Sequence, residues 1–186
     1  VGIGFGMQTI VNNFLSGLIL IFSRTLHEGD VIDVGNLQGV VRKISVRATT
    51  VETFDNAIIF VPNSEFVSNR LINWTRNGRI VRREVAIGVA YGTDPKLVER
   101  LLVEVAQSVP QIVRRPQPFV LFMDFADSTL NFVLRYWSDI GTATDAASAI
   151  RHRIVEVFAE HQVEIAFPQL DVHVIPQTPS LTRAEG

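Results

Sequence analysis

VGIGFGMQTIVNNFLSGLILIFSR, residues 1–24, has no charged side chain before Arg24 and carries glycine at positions 2, 4, 6 and 17. As a helix, Val1–Ser23 would reach about 35 Å, enough to cross a hydrocarbon layer of about 30 Å. At about 100° per residue the stretch divides into two faces. Gly2, Gly6, Thr9, Asn12, Asn13, Ser16 and Gly17 fall on one side, with Val1 and Phe5 beside them; Ile3, Met7, Ile10, Val11, Phe14, Leu18, Ile21 and Phe22 fall on the other. Each glycine costs a helix about 1 kcal/mol relative to alanine, so close packing of the small face must return that free energy. Gln8, Asn12 and Asn13 are costly against lipid and suit water, protein or a cavity.

The rest of the composition bounds the class. The chain has 186 residues, 47% of them hydrophobic, a formal net charge of −2 and no cysteine. A disulfide framework and thiolate metal sites are excluded. The opening lacks the Met, basic residues and cleavage site of a signal peptide, and the absent start Met is read as the mark of a fragment. Arg24, Arg42, Lys43 and Arg47 follow the apolar run, which places the downstream side in the cytoplasm by the positive-inside rule.

From Gly29 to about Gly78 the pattern becomes short β-rich runs between turn residues. DVIDVGNLQGVV reads as two strands around Gly35-Asn36, KISVRATTVETF as one longer strand, Asp55-Asn56 as a tight connection, and AIIFVP as a strand closed by Pro62-Asn63. Five short strands in about 50 residues suggest a small barrel. Phe54, Phe60, Phe66 and Trp74 stand among acidic residues, which assigns them to a core and argues against nucleic-acid stacking. Between Val81 and Val174 the order is strand, helix, strand, strand, helix, strand, a ferredoxin-like arrangement. Asp94 and Pro95 start its first helix, the second runs from about Thr144 to His161, and LDVHV supplies the last strand. The chain thus divides into 1–27 (helix and its continuation), 28–80 (barrel), 81–176 (α/β domain) and a tail, 177–186.

Catalytic chemistry is thin. The glycines of GIGFG lack dinucleotide spacing. His152 and His161 lie nine residues apart on one predicted helix, on opposite sides, and cannot share a metal. Asp30 and Asp33 sit at a strand start, as turn residues do. Phe132 and Tyr136 share one face of a strand without the basic signature of RNA recognition. No enzyme, cofactor, metal or nucleic-acid partner is expected.

GFGMQTIVNNFLSG, EGDVIDVG, IIFVPNSEFVSNRLINWTR, IGVAYGTD, LNFVLRYWSD and FPQLDV, in that order, resemble the small-conductance mechanosensitive channel family from Val1 to about Val174. The resemblance implies an α+β fold with a membrane segment: a pore-lining transmembrane helix, a small five-stranded Sm-like β-barrel, then a ferredoxin-like domain. It implies a homo-oligomeric ring, commonly a heptamer, in a bacterial-type inner membrane with its C-terminal domains cytoplasmic. Such a ring would open under tension and release ions and small osmolytes on hypo-osmotic shock. Val1 and Phe5 match the constriction, Gly2, Gly4 and Gly6 the sliding contacts between pore helices, and Gln8, Thr9 and Asn13 the region of a bend. Phe5 replaces a familiar leucine, Thr9 a bend glycine and Thr25 a proline; with Thr9 in place, Gly17 is the other candidate for the bend. Pro176 and Pro179 break the stretch that would form a terminal barrel. The alternative is a membrane-anchored ligand-sensing or scaffold protein. A pore subunit requires further apolar spans before Val1; a scaffold does not.

Overall fold

The computed structural model describes residues 2–169, with side chains from residue 7 onward. Val1, the expected strand LDVHV, Pro176, Pro179 and the tail lie outside the described residues.

Helix α1 occupies the apolar opening, Gly2–Ser23, and is helical without interruption through Gln8, Thr9, Asn13 and Gly17. Among the described residues no helix is long and apolar enough to cross a membrane. Arg24 closes α1 in the left-handed conformation (φ 49°), a common way for a helix to end.

Five antiparallel strands follow: β1 Val31–Val34, β2 Leu37–Ile44, β3 Ala48–Thr53, β4 Ile58–Pro62 and β5 Leu71–Asn73. Their order in the sheet is β4-β3-β2-β1-β5. The hairpin between β1 and β2 turns on Gly35, at φ 61°, and Asn36, with Val34 facing Leu37. A register shift between Val41 and Lys43 interrupts the β2–β3 ladder. One expectation is corrected here. KISVRATTVETF is two strands, because the chain turns at Ser45–Arg47, and a short helix α2, Asn63–Ser68, follows Pro62 and leads to β5. Ile32, Val34, Val41, Val51, Val61 and Phe66 form the core of this domain, joined by Leu20 and Leu26. Phe66 is buried as expected, but Phe54 and Phe60 are 62% and 71% exposed. Phe60 lies on the edge strand β4, which pairs on one side only, and Phe54 lies in the β3–β4 loop.

The second domain places β6 Ile80–Val89, β7 Phe119–Phe125 and β8 Leu130–Asp139 in the antiparallel order β6-β8-β7. Helix α3, Pro95–Ser108, starts on Asp94, whose carboxylate accepts the Lys96 N–H at 3.0 Å. Helix α4, Ala143–Glu160, continues from a 3-10 turn at Ile140–Thr142. Strand β8 alternates strictly, burying Leu130, Phe132, Leu134, Tyr136 and Ser138, and this face joins Leu101, Leu102, Val105, Ile150, Ile154 and Phe158 of the helices in one core. Phe132 and Tyr136 are therefore core residues. After α4 the chain returns beside β6, where Ile165 bridges Val89.

Candidate functional site

The distinctive site is the joint between α1 and the β-sheet domain. Asn63, fully buried at the start of α2, holds the turn that separates β2 from β3. Its side-chain amide donates to the carbonyls of Ser45 (2.8 Å) and Val46 (3.0 Å), and its side-chain oxygen accepts the Thr49 hydroxyl at 2.8 Å. The backbone N–H of Asn63 donates to the Arg47 carbonyl. Every polar group of this buried side chain thus has a partner, as burial requires.

Helix α1 lies across that turn through its small, polar face. Asn13, Ser16 and Leu20 are buried, at 7%, 2% and 3% exposure. A Cβ on Gly17 would collide with the Val46 carbonyl oxygen and stand 2.5 Å from the Asn63 amide nitrogen. Glycine is required here because backbone meets backbone, and neither side can rotate away. One turn earlier, Asn13 bridges two helices: its amide donates to the Thr9 carbonyl (3.0 Å) while its side-chain oxygen accepts the Ser64 N–H at 3.0 Å. Ser64 lies in the first turn of α2, where N–H groups lack intrahelical acceptors, and Pro62 provides no side-chain cap. Asn13 supplies that cap from another element. At the far end, Arg76 donates to the Arg24 carbonyl at 2.8 Å, placing a cation at the C-terminus of α1.

The opposite face of α1 has no partner among the described residues. Met7, Ile10, Val11, Phe14, Leu15, Ile19, Ile21 and Phe22 are all 44% exposed or more. A contiguous apolar stripe of this kind marks an interaction surface.

The residues read as functional from the sequence fall into three groups. Asn13 and Gly17 meet at the joint, although Gly17 is there for close approach to the β-domain of its own chain. Gln8 and Thr9 are exposed on the preceding turns. Gly2, Gly4, Phe5 and Gly6 lie in the helical backbone of α1, whose side chains are not described before residue 7, and Val1 lies outside the described residues. Ser16, read only as part of the small face, is buried at the joint, while Val46, Asn63, Ser64 and Arg76 were missed. An asparagine directly after a strand-ending proline was the available signal.

Nearby charges are structural. Asp30 accepts the His27 N–H (2.9 Å) and the Asn73 amide (2.7 Å), which confirms it as a turn residue. Arg42 and Glu52 pair across β2 and β3, and hydrogen bonding to Arg42 holds the Glu52 carboxyl below its ordinary range. His161 contacts the Val157 carbonyl one turn back on its own helix.

A helix keyed by backbone contact into a five-stranded β-domain, followed by an α+β domain, is the architecture of this chain. Comparison with known proteins gives the same architecture a family. Residues 9–76 match the mechanosensitive ion channel beta-domain and residues 84–165 the C-terminal domain of the mechanosensitive ion channel MscS. The mechanosensitive channel MscK of Escherichia coli is 39% identical over 94% of this chain, which spans 16% of that protein. The small-conductance mechanosensitive channel of Edwardsiella ictaluri is 30% identical over 92% of this chain and 60% of its own length. The closed-state crystal structure of Helicobacter pylori MscS superposes with a TM-score of 0.86 at 26% identity, covering 95% of this chain and 70% of that one. The chain belongs to the small-conductance mechanosensitive channel family, a family of channels and not of enzymes. It spans less than two thirds of the length of these curated relatives.

Proposed function

We propose that this chain is the pore-forming and cytoplasmic part of a homo-oligomeric channel subunit that opens under membrane tension and releases ions and small osmolytes on hypo-osmotic shock. The observation that carries the proposal is the two-sided character of α1. One face is keyed into the β-domain at Asn13, Gly17 and Leu20, while the other presents eight exposed apolar side chains. A single soluble chain has no use for such a stripe, whereas lipid or neighbouring copies would cover it. In a ring, commonly a heptamer in this family, every copy would bury the same surface.

The amino-terminal part of α1 then lines the pore. Val1 and Phe5 form the constriction, which stops ions by excluding water, and Gly2, Gly4 and Gly6 allow neighbouring helices to slide. α1, unbroken in this structure, would bend during gating in the region of Gln8 and Thr9, while the segment from Asn13 onward stays with the β-domain. Bilayer tension favours the state of larger in-plane area, so widening of the ring opens the pore. The protein resides in a bacterial-type inner membrane with both compact domains on the cytoplasmic side.

Two measurements test this reading. Native mass measurement of the detergent-solubilised full-length protein is expected to show a ring, and a monomer or dimer would rule it out. Expression in cells lacking their own tension-gated channels is expected to restore survival of a hypo-osmotic downshock. Failure of a correctly assembled protein to do so would favour the anchored scaffold.

A further inference from the structure

A cleft of about 460 Å³ lies between the two domains, bounded by Gln38 and Phe54 of the first and by Arg83, Tyr136, Gly141 and Arg151 of the second. The joint between α1 and the β-domain uses none of these residues. Tyr136 is fully buried, yet its hydroxyl has no hydrogen-bond partner among the described residues. A buried hydroxyl left unpaired costs about 1–3 kcal/mol, so its retention in this position calls for a partner that the described residues do not supply. Arg83 faces Tyr136 directly across the β6–β8 ladder, and its guanidinium stands 5.5 Å from the centre of the Trp74 ring. Among the described residues neither Arg83 nor Arg151 makes an ion pair. Burial pushes the Tyr136 phenol above its ordinary value, while the charges of Arg151 and Arg83 pull the other way. The amino end of α4 forms the remaining wall; the 3-10 turn that leads into it is capped by the Asp139 carboxylate on the Gly141 N–H, and α4 carries Asp145 in its first turn, so the favourable charge of the cleft rests on the two arginines. The one acid of the lining, Glu84, is engaged by Arg135 at 3.3 Å.

Two guanidiniums with no ion pair among the described residues and a donor hydroxyl converge on one space, and all of them favour negative charge. The volume falls within the range of small-molecule sites and exceeds what an inorganic anion alone would fill. On the β-domain side the exposed Phe54 ring offers a flat apolar surface to the rest of the molecule. We propose that this cleft binds a soluble organic phosphate, its phosphate group held by Arg83, Arg151 and the Tyr136 hydroxyl and its organic part lying toward Phe54. The occupant would be held by both domains at once.

Isothermal titration of the detergent-solubilised full-length protein, at constant ionic strength, tests the assignment with AMP, inorganic phosphate, adenosine and dioctanoyl phosphatidic acid as probes. AMP is expected to bind, inorganic phosphate to bind more weakly, and adenosine not at all. Arg151→Gln and Arg83→Gln are each expected to weaken AMP binding by about tenfold or more. Tyr136→Phe is expected to weaken it several-fold while leaving the ligand-free melting temperature unchanged or raised, because it removes the unpaired hydroxyl. Arg151 is exposed on α4, so its variant is expected to stay folded and keeps the test decisive if Arg83→Gln loosens the β6 strand. No AMP binding at about 10 mM, AMP binding unaffected by Arg151→Gln, or binding of the phosphatidic acid with refusal of AMP would each overturn the proposal.

Discussion

Gly17 and Val46 are in backbone contact: no Cβ can be placed on Gly17 without overlapping the Val46 carbonyl oxygen. Alanine at this position would gain about 1 kcal/mol of helix propensity. It would also force α1 off a carbonyl that Asn63 already holds from behind, and overpacking of this kind costs about 1–3 kcal/mol. Gly17→Ala is therefore expected to lower the melting temperature of the full-length protein. An unchanged or raised value would show that α1 is not seated on the turn as described.

The Asn13–Ser64 bond ties two helices by one acceptor. Asn13→Leu leaves the Ser64 N–H without a partner, a loss of about 1–3 kcal/mol, whereas Asn13→Asp keeps the acceptor and loses only the bond to Thr9. Hydrogen exchange followed by mass spectrometry is expected to show faster exchange of the Ser64 amide in the leucine variant than in the aspartate variant. Equal protection in both would remove Asn13 from the joint.

Asp139 is held below its ordinary carboxylate range, first by the Arg79 guanidinium hydrogen bonds (2.9 and 3.0 Å) and then by the Gly141 N–H (2.7 Å). A carboxyl depressed in the folded state stabilises it at pH values above the unfolded value, near 4, and that contribution is lost as pH falls through the depressed value. The melting temperature is expected to drop on acidification below about pH 4, and Asp139→Asn to flatten part of that drop. An identical acid profile in the variant would assign the acid sensitivity to other carboxylates.

Phe5, with Val1, is proposed as the closed-state seal. Phe5→Ser lets water persist at the constriction, so openings are expected at lower suction and cells carrying the variant are expected to grow poorly. Normal assembly with an unchanged threshold would overturn the seal. Loss of assembled protein would identify Phe5 as a packing residue, since truncating a buried Phe costs about 3–5 kcal/mol. The bend has its own variant. Thr9→Gly is expected to ease bending and alter closing, and because Gly17 is now accounted for by contact with Val46, an ineffective Thr9→Gly would leave no bend residue at either position.

Much of this architecture was legible because local signals and tertiary packing agree. Alternation along Leu130–Asp139 and the Asp94-Pro95 start of α3 are strong local patterns, and each element formed where its pattern placed it. The division of α1 into a small and an apolar face was also readable, but what covers the small face was not. A helical wheel reports period and not partner, and the partner is a carbonyl 29 positions away, on Val46. The break inside KISVRATTVETF was hidden because Ser45–Arg47 contains neither glycine nor proline, and the turn is held from Asn63, 17 and 18 residues downstream of its two acceptors. Helix α2 has six residues, too few for a helical period to show. The cleft at Tyr136 was invisible for a related reason: its arginines come from strand β6 and helix α4, 68 residues apart in the chain, and only the folded domain brings them to one tyrosine.

Whether α1 is the tension-bearing pore helix of a channel is decided by patch recording of the full-length protein reconstituted in liposomes under graded suction. Discrete conductance steps are expected that appear above a threshold suction, close on its release, and shift to lower suction in Phe5→Ser. A fully assembled protein that stays electrically silent up to membrane rupture would contradict that role for α1.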